Sequence, residues 1–236
     1  MTIIKDSGFI IPICGKESIP EQENHMGVNP ELNELQKEVT RKRILDAGFR
    51  LFVDKNIDKV TMQDVADAAG IGIATVYRYY GTKLDLVMGI SAWKWADYEA
   101  ETKRLVEMRS DSTAAERFDY YLESFLNLYR SNRDLLRFNQ LFNGYVEHEN
   151  VSPEVMKPYT DVVRTIADRF HLIYELALTD HTLRTDIPER EMFWATMHLM
   201  MAVITRYAVG LAFKGALEPE EELKLQKKML LREFVK

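Results

Sequence analysis

The chain has 236 residues, 46% hydrophobic and 29% charged, which supports one large or two small folded domains and excludes a disordered, fibrous or collagen-like chain. Acidic residues outnumber basic ones by 37 to 31, giving a net charge of −6, which excludes a uniformly basic protein that coats nucleic acid. A single cysteine, Cys14, excludes an intramolecular disulfide and indicates a reducing compartment, so we expect a cytoplasmic protein.

The first residues of the chain do not resemble a folded element. Residues 1–29 contain Gly, Pro, Ser and Asn without a helical period and predict a flexible or loosely docked arm. Its apolar run is short and interrupted by proline, which makes a poor signal peptide. Residues 192–213 are long and apolar, but His198 and Arg206 interrupt them, which favours a buried helix over a membrane span. We therefore expect no membrane partner.

The first helix is predicted to begin at Pro30, because Asn29 can cap it and proline suits a first turn. It is predicted to end near Asn56. Apolar side chains repeat along its second half with the period of a helix, at Ile44, Leu45, Leu51 and Phe52. One face of this helix must therefore be buried.

Two short helices follow, separated by a turn. The first is predicted to begin after Thr61, which can form a capping box with Asp64, and to stop at Gly70, because glycine adopts the left-handed conformation without steric cost. The second begins after Gly72 and runs to Tyr80. Two short helices joined by a glycine-containing turn are the geometry of a helix-turn-helix.

The rest of the chain is also predicted to be helical. A long helix begins after Thr82, with Asp85 as its capping partner, and runs toward Met108. Five further helices are predicted at 113–130, 133–148, 153–178, 188–214 and 219–234. No stretch alternates with the period of a strand. The predicted fold class is therefore all-α, with an N-terminal three-helix helix-turn-helix domain followed by a larger helical domain.

The stretch from Ile44 to Ile90 resembles the N-terminal DNA-binding domain of the TetR/AcrR family of transcriptional regulators. In chain order, the resemblance is carried by Ala47, Leu51, Phe52, Thr61, Asp64, Val65, Ala66, Gly70, Thr75, Val76, Tyr77, Tyr80 and Lys83. The sequence departs from the family pattern at Gly72 and Ile73, where many relatives carry polar residues. The C-terminal part is similar to such regulators only in length and helicity.

Charge and side-chain chemistry select the candidate DNA contacts. Residues 39–94 contain nine Lys or Arg against six Asp, a local net charge of +3 in an acidic chain. The basic candidates for phosphate contact are Arg41, Lys42, Arg43, Arg78 and Lys83. The candidates for contact through hydroxyl, amide, backbone or apolar groups are Thr61, Gln63, Ile73, Ala74, Thr75, Tyr77 and Tyr79. For residues 41–43, a solvated charged face is the alternative interpretation.

The resemblance implies a ligand-responsive repressor that binds a near-palindromic double-stranded DNA operator as a homodimer through its last two helices. Under this interpretation the arm spans 1–29, the helix-turn-helix domain 30–94 and the effector-binding and dimerisation domain 95–236. Residues 192–213 are apolar nearly all round, which independently requires burial on two sides. A helical adaptor that retains a helix-turn-helix without reading DNA remains the alternative function.

The larger domain is rich in aromatic and methionine side chains, which suit a pocket for a small apolar or aromatic effector and suit an ordinary core equally well. The candidate ligand contacts are Tyr121, Phe125, Phe142, Tyr145, His171, Tyr174, Met197, His198 and Met201. The histidines are included because polar groups on apolar faces need partners. A hydrogen bond within the core is the alternative role for them.

The sequence lacks the motifs of common enzymes. It contains no His-Glu-x-x-His and no Gly-x-Ser-x-Gly. The pair Asp168-x-x-His171 is too little for a di-iron site, which needs two Glu-x-x-His pairs and two further glutamates. We therefore predict no catalytic residue, no metal and no cofactor, and a protein that is not an enzyme.

Overall fold

The computed structural model of the protein describes residues 30–107, 111–211 and 217–236. The chain divides between Lys37 and Glu38 into two units, and the second unit, Glu38–Lys236, contains both hydrophobic cores. The helices of the described ranges are α1 (Pro30–Lys55), α2 (Met62–Ala69), α3 (Ile73–Tyr79), α4 (Lys83–Glu107), α5 (Ala114–Ser131), α6 (Arg133–His148), α7 (Pro153–Asp180), α8 (Glu189–Ala208) and α9 (Pro219–Phe234). The fold class is all-α, as predicted. We call residues 38–94 the module and residues 95–236 the larger domain.

The helix boundaries inside the module follow from local hydrogen bonds. The backbone N–H of Thr61 donates to Asp64 Oδ2 at 2.8 Å, and the backbone N–H of Asp64 donates to Thr61 Oγ1 at 3.1 Å. Thr82 and Asp85 form the same reciprocal pair at the start of α4, at 2.9 and 3.1 Å. Gly70 ends α2 with φ of 63°. Each of these helix ends could be predicted from the sequence, because it depends on residues at most a few positions apart.

The core of the module is apolar, and Ser91 is the one buried polar residue of the module among the described residues. The side chains of this core come from α1, α2, α3, the first half of α4 and part of α6. The most buried, each at most 1% exposed, include Ile44, Phe52, Val65, Val76, Leu86 and Ile90. Gly48 lets α1 and α4 approach closely, since a Cβ there would lie 2.8 Å from Ile90 Cδ1. The module is therefore a small bundle whose parts fix one another's position.

The larger domain surrounds α5. Phe118 on α5 packs edge-on against Phe170 of α7 and Phe234 of α9, with ring centroids 6.1 and 5.8 Å apart. Helix α6 divides its apolar side chains between the two regions. Leu135 and Leu136 join the core of the larger domain, whereas its more C-terminal rings pack into the core of the module.

Ion pairs tie α9 to α5. Lys227 Nζ lies 3.0 Å from Asp119 Oδ1 and 2.8 Å from Glu123 Oε2. Arg130 bridges Glu123 and Glu220, with N–O distances of 2.9 and 3.0 Å. Burial acts in the opposite direction, but hydrogen bonds from Lys227 and Arg130 hold the pKa of Glu123 below its ordinary value.

Two predicted helix ends differ from the structure by two residues or more. Helix α8 ends at Ala208 rather than at 214, because the chain leaves the helix through Val209 and Gly210, the latter with φ of 76°. Residues 212–214 of the predicted helix lie outside the described residues. Helix α7 continues to Asp180 and closes with His181 in a left-handed conformation, φ 56°. Among the helices of the described ranges, none is long and apolar enough to cross a membrane.

Candidate nucleic-acid interface and ligand cavity

The outer face of α3 is exposed to solvent. Val76 is fully buried in the core of the module, while Tyr77 on the next position is 51% exposed. Ala74 and Arg78 are exposed on the same helix. Because one side of this seven-residue helix is locked into the core, its other side is held at a fixed orientation toward solvent.

The remaining α3 candidates are half-buried. Ile73 and Tyr79 pack against the core of the module, and Thr75 is partly covered. The Arg78 guanidinium lies 5.9 Å from the ring centroid of Tyr79. Ile73 therefore contributes to packing, which accounts for an apolar residue at a position predicted to contact DNA.

Arg43 has a structural contact that the sequence did not indicate. Its Nη2 donates to the carbonyl oxygen of Ala69 at 2.7 Å. This bond satisfies a carbonyl in the last turn of α2 and joins α1 to α2. Of the neighbouring candidates, Arg41 lies 3.8 Å from Glu38, and Lys42 is exposed.

Three further DNA candidates already make hydrogen bonds within the module. Gln63 Nε2 donates to Asp67 Oδ1 at 2.7 Å. The Thr61 hydroxyl bonds to Asp64 in the capping box. Lys83 Nζ donates to the backbone oxygen of residue 58 at 3.3 Å and lies 5.8 Å from the ring centroid of Tyr145 on α6. These side chains position α2 and α4 in the absence of DNA.

A cavity of about 310 Å³ lies in the larger domain, walled by α4 to α8. Its aromatic lining consists of Trp95, Tyr98, Tyr121, Phe125, Tyr159 and Trp194. Its polar lining consists of Ser124, Asn139, Asn143, Arg169 and His198. A smaller pocket of about 80 Å³ shares Tyr121, Ser124 and Arg169 with it. Apolar walls with a few polar groups are typical of small-molecule sites.

Five of the nine ligand candidates line this cavity: Tyr121, Phe125, Met197, His198 and Met201. The expectation that Phe142 and Tyr145 join them is not met, because both rings pack into the core of the module. Helical periodicity predicted that these rings are buried, but it carries no information on which of two cores receives them.

His171 and Tyr174 also lie away from the cavity. His171 Nδ1 is 3.1 Å from both carboxylate oxygens of Glu189 at the surface, and hydrogen bonding to Glu189 raises the pKa of His171. The Tyr174 hydroxyl donates to the backbone oxygens of Ile187 at 2.8 Å and of Thr185 at 3.3 Å. Both side chains hold the connection between α7 and α8.

The sequence interpretation missed the ion pair beside the cavity. Arg169 on α7 donates through Nη2 to Glu99 Oε1 on α4 at 2.7 Å, and the two side chains are 17% and 11% exposed. Burial raises the pKa of Glu99, and Arg169 opposes this rise. The signal for this pair in the sequence was an arginine one position before Phe170, a residue of the apolar pattern of α7. Through this pair, α4, which begins in the module, is tied to the wall of the cavity.

Trp95 and Tyr98 also place α4 in the cavity wall. Trp95 Nε1 donates to Asn139 Oδ1 at 3.3 Å, and the Tyr98 hydroxyl donates to the backbone oxygen of Ser124 at 3.0 Å.

No group of three or more His, Cys, Asp or Glu side chains within the described ranges is placed to hold a metal ion.

Comparisons with known proteins agree with the resemblance. The family model "Bacterial regulatory proteins, tetR family" matches residues 44–89. The HTH-type transcriptional repressor LfrR of Mycolicibacterium smegmatis is 31% identical over 112 residues, which are 42% of this chain and 58% of that protein. The chain therefore covers less than two thirds of the length of this relative.

Solved structures share the fold. A transcriptional regulator from Saccharomonospora viridis, solved in complex with choline, is similar with a TM-score of 0.69 at 18% identity, over 84% of this chain and 99% of that one. The regulator FadR from Bacillus subtilis, solved with stearoyl-CoA, has a TM-score of 0.63 at 14% identity, over 81% of this chain and 95% of that one.

Proposed function

We propose that this chain is a ligand-responsive transcriptional repressor. The premise is that it carries the DNA-binding module of the tetR family of bacterial regulatory proteins and shares the fold of solved regulators. The observation that carries the proposal is the outward face of α3. Tyr77 and Arg78 project from a short helix whose other side, through Val76, is fixed in a rigid core. Such a helix fits the major groove, with Arg78 and Tyr77 on the phosphates and Ala74 and Thr75 toward base methyl groups.

A homodimer through the last two helices is part of the proposal. Helix α9 buries Leu223, Leu230 and Phe234 in its own domain, yet Leu225 and Met229 are 46% and 56% exposed. On α8, Trp194 and Leu199 are 41% and 38% exposed. Two apolar faces on one helix support burial of the second face against another copy. A symmetric dimer would then place two α3 helices about 34–36 Å apart on a near-palindromic operator.

The cavity is the proposed effector site. The structural neighbours were solved with choline and with stearoyl-CoA, so this fold accepts chemically different molecules, and the effector must be inferred from the lining of this chain. A small apolar or aromatic molecule fits walls built from six aromatic side chains. Trp95, Tyr98 and the Glu99–Arg169 pair connect that site to α4 and through it to the module. A coupling of about 1–3 kcal/mol would change DNA affinity about 5- to 150-fold.

DNA binding is tested with the full chain and the DNA upstream of its own gene. Fluorescence anisotropy of a labelled fragment should give salt-dependent binding that Arg78→Ala and Tyr77→Ala each weaken at least tenfold, since both remove contacts of α3. The control is Arg164→Ala, which removes an exposed arginine of α7 far from α3 in sequence. Absence of binding at low salt, or equal binding by all variants, would favour the helical adaptor instead.

The dimer is tested separately by sedimentation velocity. Leu225→Glu and Met229→Glu introduce charges on the exposed face of α9 and should convert a dimer into a monomer that binds DNA weakly. Lys228→Glu changes charge at an exposed polar position of the same helix and should leave the dimer intact. A monomeric parent chain would remove this part of the proposal.

A further inference from the structure

We propose that the effector is an uncharged aromatic or apolar molecule that carries a hydrogen-bond-accepting oxygen of the carbonyl type, which Tyr121 and Arg169 bind at one end of the 310 Å³ cavity. This inference rests on the function proposed above and names the chemical class of its ligand. Three features of the cavity support it: two unsatisfied donors, a neutralised arginine and a lining in which Ser124 and Asn139 are already paired.

The first feature is a local excess of buried donors. Among the described residues, no hydrogen-bond partner lies within reach of the Tyr121 hydroxyl or of Arg169 Nε, although both atoms are buried. Tyr121 is only 6% exposed, and both residues line the cavity. A buried donor without a partner is costly, and an oxygen acceptor on a ligand relieves that cost.

The second feature is charge. Arg169 is already paired with Glu99 at 2.7 Å, so the cation that lines the cavity is neutralised from the α4 side. A carboxylate ligand would place a second anion beside the same guanidinium in a poorly solvated site, which is unfavourable. The described lining residues include no Asp or Glu, so the wall offers no matching charge for a cationic ligand either.

The third feature is that the neighbouring polar groups have partners. Asn139 Oδ1 accepts from Trp95 Nε1 at 3.3 Å and from the Tyr159 hydroxyl at 3.5 Å. Ser124 Oγ donates to the backbone oxygen of Tyr121 at 2.6 Å. Among the lining residues that are not exposed, specific polar recognition is therefore concentrated at Tyr121 and Arg169, and the aromatic remainder of the wall selects for apolar surface. The volume is at the lower end of the range of about 300–1,000 Å³ for small-molecule sites, which limits the ligand to two or three rings.

The ligand class is tested by equilibrium dialysis of the full chain without DNA against three probes of similar shape: benzophenone, diphenylmethane and diphenylacetate. Benzophenone carries the carbonyl oxygen, diphenylmethane lacks it, and diphenylacetate adds a negative charge. We expect benzophenone to bind most tightly. Equal or tighter binding of either other probe would overturn the proposal, and so would no binding of any probe.

Tyr121→Phe isolates the proposed hydrogen bond. It should weaken the affinity for benzophenone about 3- to 10-fold, the effect of one neutral hydrogen bond. The affinity for diphenylmethane should stay within about twofold of that of the parent. Because the hydroxyl has no partner in the free protein, the variant should unfold at the same or a higher temperature than the parent. Tyr98→Phe is the matched control, because Tyr98 lines the same cavity but its hydroxyl already donates to the backbone oxygen of Ser124. This variant should not change the ratio of the two affinities.

Glu99→Gln tests the role of charge. It keeps an acceptor for Arg169 Nη2 but removes the negative charge, so diphenylacetate should gain about tenfold in affinity while benzophenone changes little. No gain would contradict the argument that Glu99 excludes anions. Because none of these measurements contains DNA, they fail independently of the anisotropy assay. Binding of benzophenone by a chain that does not bind DNA would support the proposed ligand site and contradict the proposed repressor function.

Discussion

The module and the larger domain treat buried polar groups differently. Of the buried polar or charged residues in the described ranges, only Ser91 belongs to the module, whereas Glu99, Thr102, Asn139 and Thr196 belong to the larger domain. The larger domain also contains the 310 Å³ cavity and the unsatisfied hydroxyl of Tyr121 that lines it, whereas the unsatisfied hydroxyl of Ser91 in the module lines no cavity described above. A closely packed apolar core permits few alternative packings, while a core with a cavity and an unsatisfied donor facing it can be stabilised by a bound ligand. Under the proposed function, the DNA-contacting face of α3 is built on the closely packed region and the effector site on the region that contains the cavity.

The largest expected effect compares a ring in each core. Phe52→Ala removes a side chain that is 1% exposed in the module and should lower the free energy of unfolding by about 3–5 kcal/mol. Phe125→Ala removes a ring beside the existing cavity and should cost about 1–2 kcal/mol less, because part of its surroundings is already empty. Urea unfolding followed by circular dichroism measures both. An equal or larger loss for Phe125→Ala would break the comparison.

A glycine in each region gives opposite signs. Gly70→Ala forces alanine into φ of 63° and places its Cβ 3.2 Å from Arg43 Nη2, so it should destabilise by about 1–2 kcal/mol. Gly144 lies inside α6, and the space that an alanine Cβ would occupy there is open, so Gly144→Ala should stabilise by about 0.5–1 kcal/mol. Thermal and urea unfolding measure the two changes, and a common sign would refute this account.

Arg43 distinguishes a structural contact from a DNA contact within the module. Arg43→Ala removes the hydrogen bond to Ala69 and should cost about 1 kcal/mol of stability, less than a fully buried charged hydrogen bond because the arginine is exposed. Lys42→Ala, at an exposed neighbouring position, should change stability by less than about 0.5 kcal/mol. Unfolding of both variants without DNA tests this. Equal free energies of unfolding for the two variants would contradict a structural role for Arg43 and leave phosphate contact as its one proposed role.

The smallest effect concerns pH and the ion pairs of the larger domain. Glu123→Gln should cost about 0.5 kcal/mol at neutral pH, because the glutamate is about a third exposed and its pairs are partly screened. The pKa of Glu123 is lowered from its ordinary value of 4.5, so its contribution is present above that pH and is lost as the pH falls through the lower folded value. The difference between variant and parent should therefore shrink below about pH 4.5. A difference between variant and parent that stays constant from pH 7 to about pH 3 would contradict this assignment.

Much of the module could be predicted because its signals are local. The capping pairs at Thr61 and Thr82 and the left-handed Gly70 each depend on residues within a few positions of one another, and all three formed as expected. The matched stretch, 44–89, agrees with the predicted resemblance. The end of α8 was less predictable, since the apolar pattern continued beyond Ala208, and only the backbone at Gly210 ended the helix.

The sequence by itself determined the all-α class, the order of the helices and the position of the helix-turn-helix, because periodicity, caps and glycines act between neighbours along the chain. Only the tertiary structure decided that Phe142 and Tyr145 pack against the module, that Arg43 bonds to Ala69, and that Glu99 meets Arg169. The two hydrogen bonds among these contacts, Arg43 to Ala69 and Arg169 to Glu99, join residues that are 26 and 70 positions apart along the chain. A helical pattern specifies that a side chain is buried, and only the packing of distant helices specifies against what.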